Sequence, residues 1–395
     1  MSQKKVKDQG EYDIFTAIGK ETDPKKKLTL LDTWKQKYPE TEFQEERLQH
    51  YLLTYQGLGQ PAKMFEIAKE MLAKDPKALQ GLYWIVSLLP TMNDTSDATL
   101  GLGEKSANGL LVVEKPAAAG EADWVKAKKD MDAMSYKTLG WIAWQRKDNE
   151  AAERQFVKCL EFNPNAAEVS YWLGTVIFGQ KKPERQSEVL FHFARAASFE
   201  GQGALNPQGR KQVDAFFIKA YTTFHGSQQG ISEIRTLAKS QPLPPPGFKI
   251  ENVNEIAAQK EQEFRESNPQ LALWMGLKKE LTGPNGAQYF ESMMKNAAVP
   301  KLKGKVISQT PASRPKEVVI GISDATEPEV KLKFETALAN KADVGTEIEF
   351  EGVPTEFAPD PFMVTFEVEN EKLTGWPPPP APAKRAPGRK RGASK

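Results

Sequence analysis

Residues 136–164 read YKTLGWIAWQRKDNEAAERQFVKCLEFNP, and this stretch decides the fold. Its apolar and small residues recur three or four positions apart, which is the period of an α-helix rather than of a β-strand. The regularly spaced positions are Tyr136, Leu139, Gly140, Ala143, Ala152, Phe156, Cys159 and Pro164. The proline marks the end of the pattern, because proline cannot continue a helix.

This spacing resembles the tetratricopeptide (TPR) repeat, whose pattern is W-x2-L-G-x2-Y…A-x3-F…P. A TPR is a helix–turn–helix unit that cannot bury its apolar face alone, so the resemblance implies neighbouring units stacked into a solenoid. Solenoids present concave binding surfaces, and the resemblance therefore implies that the protein binds a partner. It also implies that Gly140 allows the second helix to approach closely and that Cys159 lies in the core.

Further units fall into phase with this one when their closing prolines are aligned. Residues 8–39 and 45–76 each end at a proline. Asp23-Pro24, in the first of these units, predicts the start of a helix with proline at its first position. Residues 79–116 resemble a degenerate third unit.

A second Leu-Gly pair, Leu173-Gly174, restarts the pattern after the best-matched unit. The segments 207–224 and 230–239 also have helical periodicity. The sequence therefore predicts four or five TPR-like units within residues 8–240.

The period of the apolar residues changes from 3.6 to 2 near residue 300. Residues 241–299 are predicted to be a proline-rich spacer and a helical extension. Residues 300–375 alternate apolar and polar side chains in five short segments, which predicts half-buried antiparallel strands. We expect a small barrel that resembles the OB type, with a generic five-stranded barrel as the alternative because no helix is evident between the third and fourth strands. The fold class is thus mainly α, and α+β overall.

Residues 376–395 are rich in proline and lysine or arginine and contain no acidic residue. Such a composition cannot build a core, so the sequence predicts a disordered basic tail. It would attract polyanions with little discrimination. Its cations are Lys384, Arg385, Arg389, Lys390, Arg391 and Lys395.

The overall charge of the chain is too small to attract nucleic acid or a membrane surface. The 54 lysine and arginine residues nearly balance the 52 aspartate and glutamate residues, for a formal net charge of +2. No apolar run reaches the roughly 20 residues of a membrane-spanning helix. Residues 301–375 include nine basic and fourteen acidic residues. An acidic barrel is a poor ligand for phosphates, so we expect nucleic-acid binding only through the tail.

The candidate binding groove is formed by the first helices of the two best-matched units. In a TPR the residues between the packing positions of these helices reach the ligand. They are Met134, Lys137, Thr138, Trp141, Gln145, Ser170, Thr175 and Phe178. An alternative is that Trp141 and Phe178 pack against the adjacent unit. No asparagine is present among these positions, which argues against a clamp for a peptide carboxylate and favours an apolar helix or an extended segment.

The sequence offers no candidate active site. His50 and His192 fall inside helical segments, and His225 comes just before Gly226 at a helix end, where a cation offsets the helix dipole. No catalytic motif or metal-spaced cysteine cluster is present. We therefore expect a protein that is not an enzyme and has no cofactor and no bound metal.

The order of the segments resembles that of bacterial TPR proteins that carry a C-terminal β-module. This resemblance implies a non-catalytic scaffold that binds a partner protein or peptide in the TPR groove. The alternative is a nucleic-acid-associated factor that uses the barrel and the basic tail. The chain as given suits the cytoplasm, whereas Gln3-Lys4-Lys5 at its start would suit the cell envelope or periplasm if a signal peptide has been lost.

Overall fold

A computed structural model describes residues 4–92 and 94–378. The chain divides into two compact units, Met1–Val253 and Asn254–Lys395. We call them the helical unit and the sheet unit. The predicted fold class is confirmed, since TPR-like helical hairpins come first and a sheet domain follows.

The described residues of the helical unit form six consecutive hairpins, each with a first and a second helix. The helices are α1 Gln9–Lys20 and α2 Pro24–Lys37, α3 Gln44–Gly57 and α4 Pro61–Lys74, α5 Leu79–Leu88 and α6 Asp97–Leu111, α7 Glu121–Gln145 and α8 Asn149–Phe162, α9 Ala167–Gly179 and α10 Gln186–Ser198, α11 Pro207–His225 and α12 Ile231–Ser240. Consecutive helices pack against each other from α1 to α11, whereas α12 packs against α10. The predicted number of four or five units was therefore too low.

Helix starts follow directly from the local sequence. Asp23 caps α2 by accepting a hydrogen bond from the backbone N–H of Lys25 at 2.8 Å, and Pro24 occupies the first position. This confirms the predicted start. Asp148 caps α8 in the same way, because its short side chain can reach an N–H group that the helix itself leaves free.

The Leu-Gly pairs mark close contacts between the two helices of a hairpin. A Cβ atom added to Gly140 in α7 would lie 2.5 Å from two ring carbons of Phe156 in α8. One added to Gly174 in α9 would lie 3.2 Å from Cβ of His192 in α10. The predicted role of Gly140 is confirmed, and Cys159 is buried in the same core as predicted.

The proline-rich stretch that was predicted to be a spacer packs against the helical unit. Phe248 places its ring 5.3 Å from that of Phe191 in α10. The backbone N–H of Ile250 donates a hydrogen bond to Oγ of Ser187 at 3.0 Å, and Ile250 is buried. We call residues 241–250 the strap, because they return across α10.

Arg195 of α10 is a buried cation that joins distant segments. Its guanidinium donates to the carbonyl oxygens of Ala238 at 2.6 Å and Gln241 at 2.7 Å, and also to that of Pro164. The side chain therefore connects the end of the best-matched repeat, the end of α12 and the start of the strap. Carbonyl groups at helix ends lack partners within the helix, and a cation there is favourable.

The sheet unit contains helices α13 Val253–Ser267, α14 Pro269–Leu281 and α15 Gly286–Tyr289, the last continued by a π-helical turn at Phe290–Met294. The strands are β1 Val299–Thr310, β2 Glu317–Gly321, β3 Val330–Lys333, β4 Glu347–Pro359, β5 Phe362–Glu367 and β6 Leu373–Thr374. Their order is β1-β2-β3-β5-β4-β6, and β1 also pairs with β4. The pairing of β3 with β5 is parallel, so the sheet is mixed and the expectation of a purely antiparallel arrangement was wrong.

The helices before residue 300 belong to the core of the sheet unit. Trp274, Leu281 and Phe290 are buried together with Leu302 of β1 and Phe366 of β5. The unit therefore begins before the predicted boundary at 300. Periodicity could not show this, because a helix that covers a sheet and a helix of a linker have the same period.

A buried carboxylate organises the turn between β2 and β3. Glu329 accepts hydrogen bonds from the backbone N–H groups of Ile322 and Ser323, both at 2.6 Å, and from Nζ of Lys278 in α14. Burial by itself would raise the pKa of Glu329, but these donors hold it below the ordinary value.

Across the described residues, every helix is too short or too polar to cross a lipid bilayer.

Candidate functional site

Three of the eight predicted groove residues are buried and cannot contact a ligand. The hydroxyl of Thr138 donates to the carbonyl oxygen of Val86 in α5 at 2.9 Å. Trp141 packs into the core formed with α5 and α6, and Ser170 is fully buried. The prediction was wrong for these three because α7 and α9 pack against other helices on this side as well. For Trp141, the alternative that it packs against the adjacent unit is correct.

The other five predicted residues reach the surface to different degrees. Met134, Lys137 and Thr175 are half-buried, and the hydroxyl of Thr175 donates to the carbonyl oxygen of its own helix at Tyr171. Gln145 and Phe178 are exposed. The structure thus leaves Phe178 as the one predicted aromatic side chain available to a partner.

Lys137 is held in place between two first helices. Its Nζ lies 2.6 Å from a carboxylate oxygen of Glu168 and 4.9 Å from the centre of the Trp172 ring, both in α9. The Trp172 ring lies in turn 5.7 Å from that of Phe156. Lys137 is therefore part of the contact between adjacent hairpins and is only partly available to a ligand.

Exposed large apolar residues are distributed unequally between the two kinds of helix. Each of the six first helices carries one, whereas the second helices α2, α4, α6, α8, α10 and α12, all within the described residues, carry none. With their exposed fractions, they are Tyr12 52%, Leu53 60%, Tyr83 38%, Val125 60%, Phe178 54% and Phe216 47%. We call this set the apolar series.

Most of the apolar series could have been found from the sequence. Leu53, Tyr83 and Phe178 each come directly after a buried residue, and Tyr12 does so as well. One residue corresponds to about 100° around a helix. Each of these four side chains therefore lies about 100° around its helix from a buried neighbour.

Burial shifts the pKa values of two titratable side chains among the described residues of the helical unit. Burial lowers the pKa of His192 to about 3, so its imidazole is neutral near pH 7. Burial raises the pKa of the Cys159 thiol to about 12, which keeps it from forming the nucleophilic thiolate. His225 ends α11, and its Nδ1 lies 2.9 Å from the carbonyl oxygen of Glu251.

The basic tail residues predicted to attract polyanions lie outside the described residues. These are Lys384, Arg385, Arg389, Lys390, Arg391 and Lys395.

Comparison with known proteins gives similarity to solved structures only. No protein-family model and no curated protein sequence matches the chain. The MamA RS-1 ArsTM double mutant has a TM-score of 0.35 and 12% identity, over 53% of this chain and 98% of its own. Another structure of MamA gives 0.27 and 13%, over 48% and 90%. TTC0263, a thermophilic TPR protein of Thermus thermophilus, gives 0.28 and 17%, over 53% and 98%. These TM-scores are too low to carry an argument about this protein.

Proposed function

We propose that the protein is a non-catalytic scaffold whose helical unit binds a partner protein or peptide along its first helices. The observation that carries this proposal is the apolar series. Single exposed apolar residues are common on any surface. Their restriction to one helix of each of six hairpins is not a scattered distribution, and it favours a continuous binding surface.

The chemistry of the apolar series indicates the kind of partner. Tyrosine and phenylalanine provide large contact areas with few rotatable bonds, and aromatic residues are enriched in protein interfaces. We therefore expect the apolar face of a helix, or an extended segment with apolar side chains, as the partner.

For the sheet unit we propose an OB-like barrel as a second contact surface. The strand pairings that support it run from β1 through β2, β3, β5 and β4 and return to β1. The excess of acidic residues over 301–375 would repel phosphates. Nothing in the described residues favours the nucleic-acid alternative over protein binding.

The test uses the full chain as bait in an extract of cells that express it. The triple variant L53D/Y83D/F178D places charges on the apolar series, whereas V112D alters the 78% exposed Val112, which lies just after a second helix. We expect a protein retained by the wild type and by V112D to be lost from the triple variant. Retention of the same proteins by all three chains, at equal melting temperatures, would contradict the proposal.

A further inference from the structure

The sheet unit carries an open groove of about 1170 Å³. It is lined by the residues after β3, the middle of β4 and the segment between β5 and β6. Its carboxylates are Glu335, Glu351, Glu367, Glu369 and Glu371. Lys333 and Lys372 are the cations that line it. We call it the acidic groove.

Most of these carboxylates have no cation beside them. Nζ of Lys372 pairs with Glu351 at 3.2 Å, whereas Lys333 pairs with Glu356, which does not line the groove. In the described part of the chain, the four remaining glutamates of the groove form no ion pair and are exposed. Charges of one sign along a cleft with protein walls concentrate the potential inside it.

The groove also has apolar walls. Val353 on β4 is exposed within it, and Val299 of β1 also lines it, whereas the lining residue Phe334 is buried in the core of the unit. Its volume exceeds the range of roughly 300–1,000 Å³ that is typical of small-molecule pockets. Lysine and arginine can place their aliphatic stems on apolar surface while their charged ends reach carboxylates. The groove therefore suits a peptide segment rich in these two residues.

We propose that the acidic groove binds the basic end of this same chain, residues 384–391, which carry five cations and no acid. This inference goes beyond the proposed function, because the occupant is a segment of the chain itself and not a partner protein. Charge complementarity is one argument for this occupant. The second is reach.

The described chain ends close to the groove. The carbonyl oxygen of Pro378 accepts a hydrogen bond from Nδ2 of Asn340 at 2.7 Å. Asn340 comes only four residues after Thr336, which lines the groove. From Pro378, six further residues reach Lys384, and an extended chain of that length spans up to about 20 Å. Such a length exceeds the four residues that separate Asn340 from Thr336 at the groove.

A tethered segment has a high effective concentration, on the order of 1 mM for a short linker. Occupation of the groove by the tail of the same chain should therefore exclude a separate copy of the same peptide.

The test measures fluorescence anisotropy of a labelled peptide of residues 379–395 with two full-length chains. One is the wild type, and the other, the tail-neutral chain, is K384Q/R385Q/R389Q/K390Q/R391Q/K395Q.

We expect the tail-neutral chain to bind the peptide about tenfold more tightly than the wild type does, if the peptide itself binds with a Kd near 100 μM. Binding should weaken strongly between roughly 0.1 M and 1 M salt, as the Debye length falls from about 10 Å to about 3 Å. Adding E335Q/E369Q/E371Q to the tail-neutral chain should abolish peptide binding. The matched control E263Q/E280Q/E327Q removes the same charge from exposed sites of the same unit outside the groove and should change nothing.

Equal binding of the peptide by the wild type and the tail-neutral chain would overturn the proposal, because the wild-type tail would then not occupy the acidic groove. So would peptide binding that survives the groove substitutions, or that the control substitutions weaken equally. Melting temperatures of all chains show whether a lost signal reflects lost folding.

Discussion

The contact between Gly140 and Phe156 allows a sharp test of the repeat packing. Gly140→Ala should make the protein less stable although alanine is the better helix former by about 1 kcal/mol. The new Cβ would lie 2.5 Å from Cδ1 and from Cε1 of Phe156, whereas carbon atoms normally approach to about 3.5–4.0 Å. Phe156 is fully buried, so its ring has no open space to move into.

Overpacking of this kind costs typically 1–3 kcal/mol, and an overlap of about 1 Å with a buried ring places the cost at the upper end of that range. After the gain in helix propensity, we expect a net loss of about 2 kcal/mol. For a unit of this size, that lowers the melting temperature by about 4–8 °C. Circular dichroism at 222 nm during heating of the full chain measures it.

Gly101→Ala is the matched control, because Gly101 lies in helix α6 with no atom within 4 Å of its added Cβ. This variant should be more stable than the wild type by up to about 1 kcal/mol. Phe156→Leu should remove most of the penalty of Gly140→Ala, so the two substitutions should show a coupling of about 1 kcal/mol or more in a double-mutant cycle. If Gly140→Ala is as stable as Gly101→Ala, the packing assigned to this hairpin is refuted.

Three further substitutions test the buried polar groups by chemical denaturation. Arg195→Met removes the donor of four carbonyl groups and should cost about 3–5 kcal/mol; a loss under about 1 kcal/mol would argue against its role as a link. Burial depresses the pKa of His192, so the imidazole takes up a proton only in the unfolded state as the pH falls below about 6.5. The free energy of unfolding should therefore drop by about 2 kcal/mol between pH 6.5 and 5. His192→Gln should reduce this dependence on pH. Glu329→Gln should destabilise the sheet unit, with a smaller loss near pH 4 than at pH 7, because the lowered pKa of Glu329 stabilises the fold above its unfolded pKa. A loss independent of pH would contradict the ionised state.

The predictions succeeded where the sequence repeats a local rule. The helix start at Asp23-Pro24 and the small residue at Gly140 depend on neighbours within one hairpin, and a motif records such neighbours. Thr138 was misplaced because its hydrogen-bond partner Val86 lies in another hairpin, and a spacing pattern does not tell which side of a helix a second neighbour covers.

Segments with few apolar residues were the other source of error. The first turns of α7, which begins at Glu121, are rich in charged residues, so the repeat pattern became visible only from Tyr136. The strap reads as a spacer because proline dominates its composition, yet Phe248 and Ile250 at its end anchor it to α10. A few apolar residues after a proline run are enough to change a linker into part of a core.

The burial of α10 sets it apart from the helix at the N-terminal end of the helical unit. Nine of its thirteen residues are buried, whereas two of twelve are buried in α1. In an array in which each hairpin contacts only its neighbours, opening begins where the neighbours are fewest. Amide hydrogens should therefore exchange early at the N-terminal hairpin and last around α10, which has a hairpin on either side of its own.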